Sequence, residues 1–451
     1  MMSFFRKFPG GIHPVESIGE KAVTSKLSIV EPPLPSRVII PLHQNVGSPS
    51  RCVVEKGEVV RVGQLIGEPT GSFSAAVHAS VSGKVAACEP CLLPNGKRAP
   101  CVIILNDYKD TWVDMEPVAN HDTLTARQLA DVALHAGIVG MGGAMFPYGV
   151  KLAVPEGKKI DTLILNGAEC ETYLSADHRM MLEHAKEIIK GALLIKNALK
   201  IDRILIGIEN NKPDALETMK QCCESQVAVE VVPLPVRYPQ GGEKQLIHAL
   251  TNRVVNIGGL PMDCGVLVCN VSSVFALYQA VYLGKPVIDR VITVAGCVQE
   301  PANYRVRIGT PVEWLVETAG GFLPNAKMLI YGGAMMGQGI SRQDIPINKG
   351  CSGITALMKA PHKLNKEGPC IRCGRCVEAC PMKLAPASID RFMRKDMFEE
   401  TEKLYVLSCI ECGICSWVCP AKRNLTQSCK VCKMMLAQRK KATTQTKKEA
   451  M

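Results

Sequence analysis

The sequence predicts a multidomain α/β chain, and three observations carry that reading. Short Val/Ile runs separated by Gly, Pro and Asn fill roughly residues 37–107. Helix- and strand-patterned segments then alternate from Leu124 onward, and two matching cysteine runs follow Lys349. At 451 residues the chain exceeds what one core can organise, and roughly two to four domains are expected.

The composition excludes several classes. Hydrophobic content of 47% and charged content of 21% are those of an ordinary globular protein. No run of about 18 apolar residues occurs, so no membrane span is expected. The nearest approach, Val266 to Leu283, is interrupted by Asn270, Ser272, Ser273 and Gln279 and reads as a strand followed by a helix. The opening "MMSFFRKFPGGIHP" carries cations without an apolar core, so the expectation is an intracellular chain without a cleaved signal. In that compartment 21 cysteines serve metal or redox chemistry rather than a disulfide framework. The net charge of +11 is concentrated at the end, where Ala421 to Met451 holds nine Lys or Arg against one acid, Glu449. A solvated, frayed terminus is the expectation there, with contact to anionic lipid or an acidic partner as the alternative. No nucleic-acid partner is expected.

The first region, about Arg37 to Asp107, reads as all-β. Its pieces "EKGEVVRVGQLIG" and "VHASVSGKVAA" resemble the two halves of a lipoyl-type barrel-sandwich. A carrier of that type displays a modifiable Lys on a hairpin, but the connecting "GEPTGSFSAAVHAS" has none, which makes this a structural barrel. Next, "LTARQLADVALHAG" has helical spacing and stops at Gly137. Buried strands are expected at "DTLILNG", "RILIGIEN", "VAVEVVPLP" and "GVLVCNV", with helices at "AKEIIKGALLIKNAL" and "SVFALYQAVYLG". Ligands of such parallel sheets bind beyond the carboxyl ends of the strands. A further unit near Val287 to Leu323 frames one helix with strands, as in a small β-grasp.

The cysteine runs are the most specific signal. "CIRCGRCVEACP" spaces Cys370, Cys373, Cys376 and Cys380 as C-x2-C-x2-C-x3-C-P, and "CIECGICSWVCP" repeats it 39 residues later with Cys409, Cys412, Cys415 and Cys419. This is the two-cluster ferredoxin run, whose fourth Cys ligates the other cluster. One [4Fe–4S] cluster is therefore assigned to Cys370, Cys373, Cys376 and Cys419, and the other to Cys409, Cys412, Cys415 and Cys380. Zinc sites use separated C-x2-C pairs instead. Cys429 and Cys432 read as free thiols at the edge of the tail. Cys88 and Cys91, near Cys101, read as buried small residues or a metal pair, and adjacent Cys222 and Cys223 cannot easily serve one ion.

The loop "GMGGAMFP", Gly140 to Pro147, asks what it holds. A dinucleotide fingerprint would need Gly at 145, where Met145 stands, and a strand before it, where a helix is expected. A Walker loop needs G-K-[ST], and none follows. What remains is a glycine nest for an anion, with Lys151 as a point charge and Phe146 with Pro147 as an apolar wall. That suits flavin mononucleotide, and close helix–sheet packing is the alternative use of the glycines.

"GIVGMGGAMFPYGVKL", "NGAECETYLSADHRMM", "GIENNKPDA", "YPQGGEKQLI", "NVSSVFAL", "GGIHP" and the cysteine runs resemble the C subunit of the Rnf complex from about residue 10 to residue 420. The central part is distantly similar to the NADH-binding flavoprotein subunit of respiratory complex I, with its GRGGAGFP loop. The resemblance implies an N-terminal β barrel-sandwich over 1–112, a Rossmann-like FMN/NADH domain over 113–285 and a small β-grasp (SLBB) over 286–345. A two-cluster ferredoxin-like α domain over 346–430 and the basic tail 431–451 complete it. It implies FMN, NAD(H) and two [4Fe–4S] clusters, the other Rnf subunits as partners with ferredoxin reached indirectly, and a peripheral place on the cytoplasmic face of the membrane.

By the same resemblance Gly140, Gly142, Gly143 and Lys151 line the flavin and its phosphate. Phe146 forms the nucleotide wall, and Asn166 and Glu169 lie by the ring and the nicotinamide. Glu209, Asn210, Asn270, Ser272 and Ser273 sit near the phosphate or at neighbouring strand ends. Glu169 is the candidate catalytic residue, the alternative being a carboxylate that caps a helix N-terminus. Three loops depart from the family pattern: Thr172 replaces the Pro of "ECEP", Ala334 the Pro of "GGPMMG", and Ser272-Ser273 the Gly-Thr of "NVGT". Two further readings stay open, an NADH reductase module feeding an amino-acid reductase and a non-catalytic iron–sulfur adaptor.

Overall fold

The computed structural model describes residues 8–13, 17–358 and 367–449. Pro14 of "GGIHP" and the last two tail residues lie outside the described residues. The chain forms two compact units: Val15–Val236 with Leu260–Lys359, and Met1–Pro14 with Arg237–Gly259 and Ala360–Met451. The segment 237–259, read from sequence as part of the FMN/NADH domain, thus belongs to the compact unit of the cysteine runs.

The larger unit begins with two antiparallel sheets. One pairs Arg37–Pro41, Arg98–Asn106, Gly83–Leu92 and Val59–Val60 in that order; the other pairs Arg51–Cys52, Leu65–Glu68 and Val77–His78. Alternate residues Val38 and Ile40, and Val102 and Ile104, point into a core shared with Ile66, Val77 and Val85. The lysine-free connecting segment turns outward, and Phe73 packs edge-on against Phe146 at 5.8 Å between ring centres. Val46 N–H donates to Met145 O at 2.8 Å, so the barrel buttresses the glycine loop.

The central sheet is parallel throughout, in the order Val229–Leu234, Arg203–Glu209, Thr162–Gly167, Val266–Asn270. Its two middle strands are near-continuous apolar runs because helices cover both faces. From Thr162–Gly167 the chain moves outward in one direction, then returns to add Val266–Asn270 on the other side. That switch opens a crevice at the carboxyl ends of these two strands.

The helix Ala126–His135 leads into the glycine loop. It starts at a Thr125/Gln128 capping box and ends before Gly137, whose φ of +70° only glycine adopts readily. A Cβ there would also stand 2.3 Å from Ala76 O. Helices Ala185–Leu199 and Val271–Leu283 approach closely at Gly191, where a Cβ would fall 2.4 Å from Val274 O.

The β-grasp sheet has the order Ala302–Arg307, Asp289–Gly296, Gly353–Met358, Ala326–Tyr331, Gln338–Ile340, with the helix Val312–Thr318. Its middle strand, Gly353–Met358, lies beyond the range 286–345 read from sequence. Val306, Val312, Leu315 and Ile354 fill its core.

The smaller unit is built on an internal repeat of 39 residues. Arg372 and Glu411, Gly374 and Gly413, and Lys383 and Lys422 all have positive φ at equivalent positions. Short helices follow at Arg375–Glu378 and Ile414–Trp417, and longer ones begin at Pro386 and Leu425. The second of these, Leu425–Glu449, runs through the stretch expected to be a frayed tail. Its first turns bury Leu425, Ser428, Cys429, Cys432 and Leu436, a stripe at helical spacing, while Arg439 and Lys440 are exposed. No helix among the described residues is long and apolar enough to cross a membrane.

Gly191→Ala tests the helix crossing. On propensity alone it should gain about 1 kcal/mol, yet the clash with Val274 reverses the sign and costs ~1–3 kcal/mol. The expected result is a lower thermal midpoint; an unchanged or higher one would show that the helices can separate freely.

Candidate functional site

The crevice is organised by Asn270, the last residue of its strand and the N-cap of the following helix. Its Oδ1 accepts from Ser272 N at 3.0 Å, and its Nδ2 donates to Asp177 Oδ2 at 2.7 Å. Ser272 Oγ donates to the other Asp177 oxygen, also at 2.7 Å. Asp177 opens the helix Ala176–Glu183, so two helix N-termini meet at these three residues. The glycine loop rests on the same point: a Cβ on Gly142 would stand 3.2 Å from Asn270 Nδ2.

The loop is pinned from behind and open in front. Met141 N–H donates to Ser273 Oγ at 2.8 Å, Ser273 donates onward to Val139 O at 3.0 Å, and Arg290 Nη2 holds Met141 O at 3.1 Å. Gly140 N–H bonds Phe146 O, and Met145 N–H bonds Gly140 O, both at 2.9 Å. The N–H groups of Gly142, Gly143 and Ala144 donate to nothing among the described residues, and all three residues are exposed. Gly143 has φ of +98° and open space where a Cβ would be. Three free amides on one turn form a nest for an anion.

Lys151 lies in the short helix Tyr148–Leu152 that follows the loop. Its Nζ donates to Val268 O at 2.5 Å, satisfying a carbonyl on the free edge of the outermost strand. Asn166 Oδ1 accepts from Ala168 N at 3.2 Å and shapes the turn at its strand end. Glu209 is buried and pairs with buried Lys212 at 2.9 Å, while its Oε1 has no partner. Lys212 Nζ also holds Ala168 O at 2.9 Å. Asn210 is exposed, with its N–H on Leu234 O.

Glu169 lies at the N-terminus of the helix Ala176–Glu183. Its two oxygens accept from Asp177 N at 2.7 Å and His178 N at 3.1 Å, and its backbone adopts φ of +47°. The geometry is that of the helix-capping alternative. Lys21 Nζ donates to Glu169 O at 2.5 Å. Burial pushes the Glu169 carboxyl up to about 7, opposed by Lys21 and reinforced by Asp177. Burial also raises Asp177 and Glu171 and lowers Lys21. Glu171 binds Met335 N at 3.0 Å and Met336 N at 2.7 Å, and a Cβ on Gly333 would stand 2.4 Å from it. The "GGAMMG" loop of the β-grasp is thereby fixed to the crevice.

Sequence reasoning missed Lys21, Asp177, Lys212 and Arg290. Asp177 and Lys212 lie inside the motifs "SADHRMM" and "ENNKPDA", each at the start of a helix. Lys21 and Arg290 come from distant elements and leave no local signal.

In the smaller unit Cys380 lines one cavity with Cys409, Cys412 and Cys415. Cys376 packs in one buried cluster with Cys419 and Cys415. Backbone N–H groups reach the sulfurs, Leu384 N on Cys380 and Glu411 N on Cys409, each at 3.4 Å. Cys370 and Cys373 are exposed. Gly10, from "GGIHP", abuts the Cys380 backbone, and Tyr238 from "YPQGG" donates to Cys412 O at 2.8 Å. Among the described residues no three His, Cys, Asp or Glu converge on a single metal ion. Cys380, Cys409, Cys412 and Cys415 around a common cavity, with Cys429 also in its lining, fit a [4Fe–4S] cluster by donor chemistry, and the free amides with the unpartnered Glu209 oxygen fit a phosphorylated flavin.

Fold and sites together define an electron-transfer protein of the flavin and iron–sulfur class. Residues 133–279 match the Nuo51 FMN-binding domain, 6–109 the RnfC barrel sandwich hybrid domain, 291–339 the SLBB domain and 369–423 a 4Fe-4S dicluster domain. The chain is 44% identical to the C subunit of the proton-translocating ferredoxin:NAD(+) oxidoreductase complex of Clostridium ljungdahlii, over 89% of this chain and 88% of that one. It is 41% identical to the Na(+)-translocating counterpart of Acetobacterium woodii, over 96% and 98%. With the C subunit of the ion-translocating oxidoreductase complex of Rhodobacter capsulatus the identity is 38%, over 95% and 83%. The chain belongs to this family of C subunits.

The raised Glu169 carboxyl gives a pH signature. Its ordinary value is 4.5 and its folded value about 7, so between them the folded chain holds the extra proton and stability falls as pH rises. Glu169→Gln removes that dependence. The expected thermal midpoint of the wild type relative to Glu169→Gln declines from pH 4.5 to pH 7 and then levels; a difference that grows with pH would mean the carboxylate is favoured by the fold.

Proposed function

We propose that this chain is the peripheral electron-transfer subunit of a membrane-bound ion-translocating ferredoxin:NAD(+) oxidoreductase, passing electrons between NAD(H), FMN and two [4Fe–4S] clusters. The observation that carries the reading is the crevice with its three free loop amides, in one chain with a cavity lined by Cys380, Cys409, Cys412 and Cys415 and a buried cluster that joins Cys376 to Cys419. FMN, when bound, supplies the exchange between a two-electron hydride and single electrons.

The chain's own residues bind and orient. The amides of Gly142 and Gly143 take the flavin phosphate, and Gly140 closes the turn that aims them. Ser273 and Arg290 hold that turn rigid, while Asn270 and Ser272 fix its distance from the helix beside it. Glu209 offers its free oxygen to a donor on the ring, with Lys212 holding the other oxygen. Phe146, braced by Phe73, forms the apolar wall for the nicotinamide nucleotide. Asn166 shapes the loop by the ring, Asn210 is exposed just past its strand end, and Lys151 reaches the sheet edge at Val268 O. Glu169 acts as a positioning residue: it orients the helix that carries Asp177. Cys370, Cys373, Cys376 and Cys419 hold one cluster, and Cys409, Cys412, Cys415 and Cys380 the other. The partners are the remaining subunits of the complex, through which ferredoxin is reached, at the cytoplasmic face of the membrane.

Anaerobically purified protein is expected to carry iron, sulfide and FMN, with a flavin band bleached by NADH. In Gly142→Val the branched side chain presses on Asn270 and fills the cradle. Flavin should be lost while iron and sulfide stay at wild-type levels, since the cysteines fold in a separate compact unit. Retained flavin with wild-type NADH oxidation refutes the placement. Protein with iron and no flavin under any condition supports the adaptor reading instead.

A further inference from the structure

The terminal helix carries two side chains aimed at cluster sulfurs. Thr426 Oγ1 lies 3.3 Å from Cys415 Sγ. The direction of that bond follows from its neighbours: Ser416 Oγ accepts from Thr426 N at 2.9 Å and donates to Thr426 Oγ1 at 3.0 Å. The Thr426 hydroxyl proton is then left for the sulfur, which as a metal-bound thiolate can only accept. One helical turn further on, Cys429 is buried and lines the cavity of Cys380, Cys409, Cys412 and Cys415. Spacing of three on a helix puts Thr426 and Cys429 on one face. Among the described residues no side chain donates to Cys370, Cys373, Cys376 or Cys419, so the two sets differ in this respect.

We propose that Thr426 and Cys429 are a pair of outer donors that raise the reduction potential of the cluster held by Cys409, Cys412, Cys415 and Cys380 above that of its twin. The inference rests on the ligand assignment proposed above. Taking up one electron adds one negative charge to the cluster and its sulfurs, and O–H and S–H donors stabilise that charge. Cys429 acts here as a donor, not a ligand: five thiols line the cavity, and the repeated ferredoxin spacing assigns the other four as ligands. Both residues are positioning residues, and the internal repeat shows what distinguishes the two halves. The equivalents of Thr426 and Cys429, 39 residues earlier, are Ala387 and Asp390, neither of which offers a thiol or hydroxyl. Asp390 is instead committed to Arg394, Arg423 and Ser428.

The test is a potentiometric titration of the purified full-length protein followed by electron paramagnetic resonance, with iron and sulfide analysis of every sample. Thr426→Val and Cys429→Ala are each expected to lower one midpoint by up to a tenfold change in the reduction equilibrium, about 59 mV for a one-electron couple. The other midpoint should not move, and Thr426→Ser should restore the wild-type value. Unchanged midpoints in Thr426→Val, or equal shifts of both clusters, overturn the proposal. Loss of iron from Cys429→Ala overturns the donor role of Cys429 and makes it a ligand. Wild-type protein that lacks iron and sulfide would instead refute the underlying assignment.

Discussion

Everything in the crevice depends on one short side chain, Asn270, making three different contacts at once. It ends a strand, caps the helix that follows, and grips Asp177 at the start of another helix. Its flank sets how near the loop can come at Gly142. A longer residue would push the loop away from the strand ends, and an apolar one would leave Asp177 and Ser272 N–H unsatisfied. Burying such groups without partners costs ~1–3 kcal/mol each. The departure of Ser272-Ser273 from the family's Gly-Thr fits the same joint. Ser272 adds a second donor to Asp177, and Ser273 pins the loop from beneath.

A second joint ties the three layers of the larger unit together. Lys349 is fully buried, and its Nζ donates to Ala76 O in the barrel at 2.6 Å and to Gly137 O before the glycine loop at 2.7 Å. Burial lowers its ammonium to about 7, and the nearby His78 is held down to about 3 by burial and by Lys349. A barrel without a lipoyl lysine thus acquires a structural purpose. It presents backbone carbonyls and Phe73 to the loop that faces the ligand.

What was legible in the sequence was local. The cysteine spacing repeats at 39 residues, and the backbone repeats with it, down to matched positive-φ residues. The strands of the parallel sheet and the stop at Gly137 follow from apolar runs and a glycine. Long-range partners left no trace: Lys349, Arg290 and Lys21 reach their contacts across more than a hundred residues. Cys429 and Cys432 read as a loose pair beside a basic tail because no second C-x2-C pair accompanies them. The stripe Leu425, Cys429, Cys432 and Leu436 is visible only when read at helical spacing. For Glu169 the two readings differed by orientation, which sequence does not encode, and its two N–H partners are those of a helix cap.

The charges of the crevice show why a glycine turn, and not a cluster of arginines, meets the ligand. Four carboxylates stand around it: Glu169, Glu171, Asp177 and Glu209. Each is turned onto donors of the protein itself, two pairs of backbone amides, the Asn270–Ser272 pair, and Lys212. Lys21 and Arg290 likewise spend donors on backbone carbonyls. The unpartnered groups that remain are the exposed loop amides and a single buried Glu209 oxygen on another strand. Such a turn suits a ligand with an anionic end, such as a phosphate. It does so with fixed dipoles that need no counter-charge of their own when the site is empty.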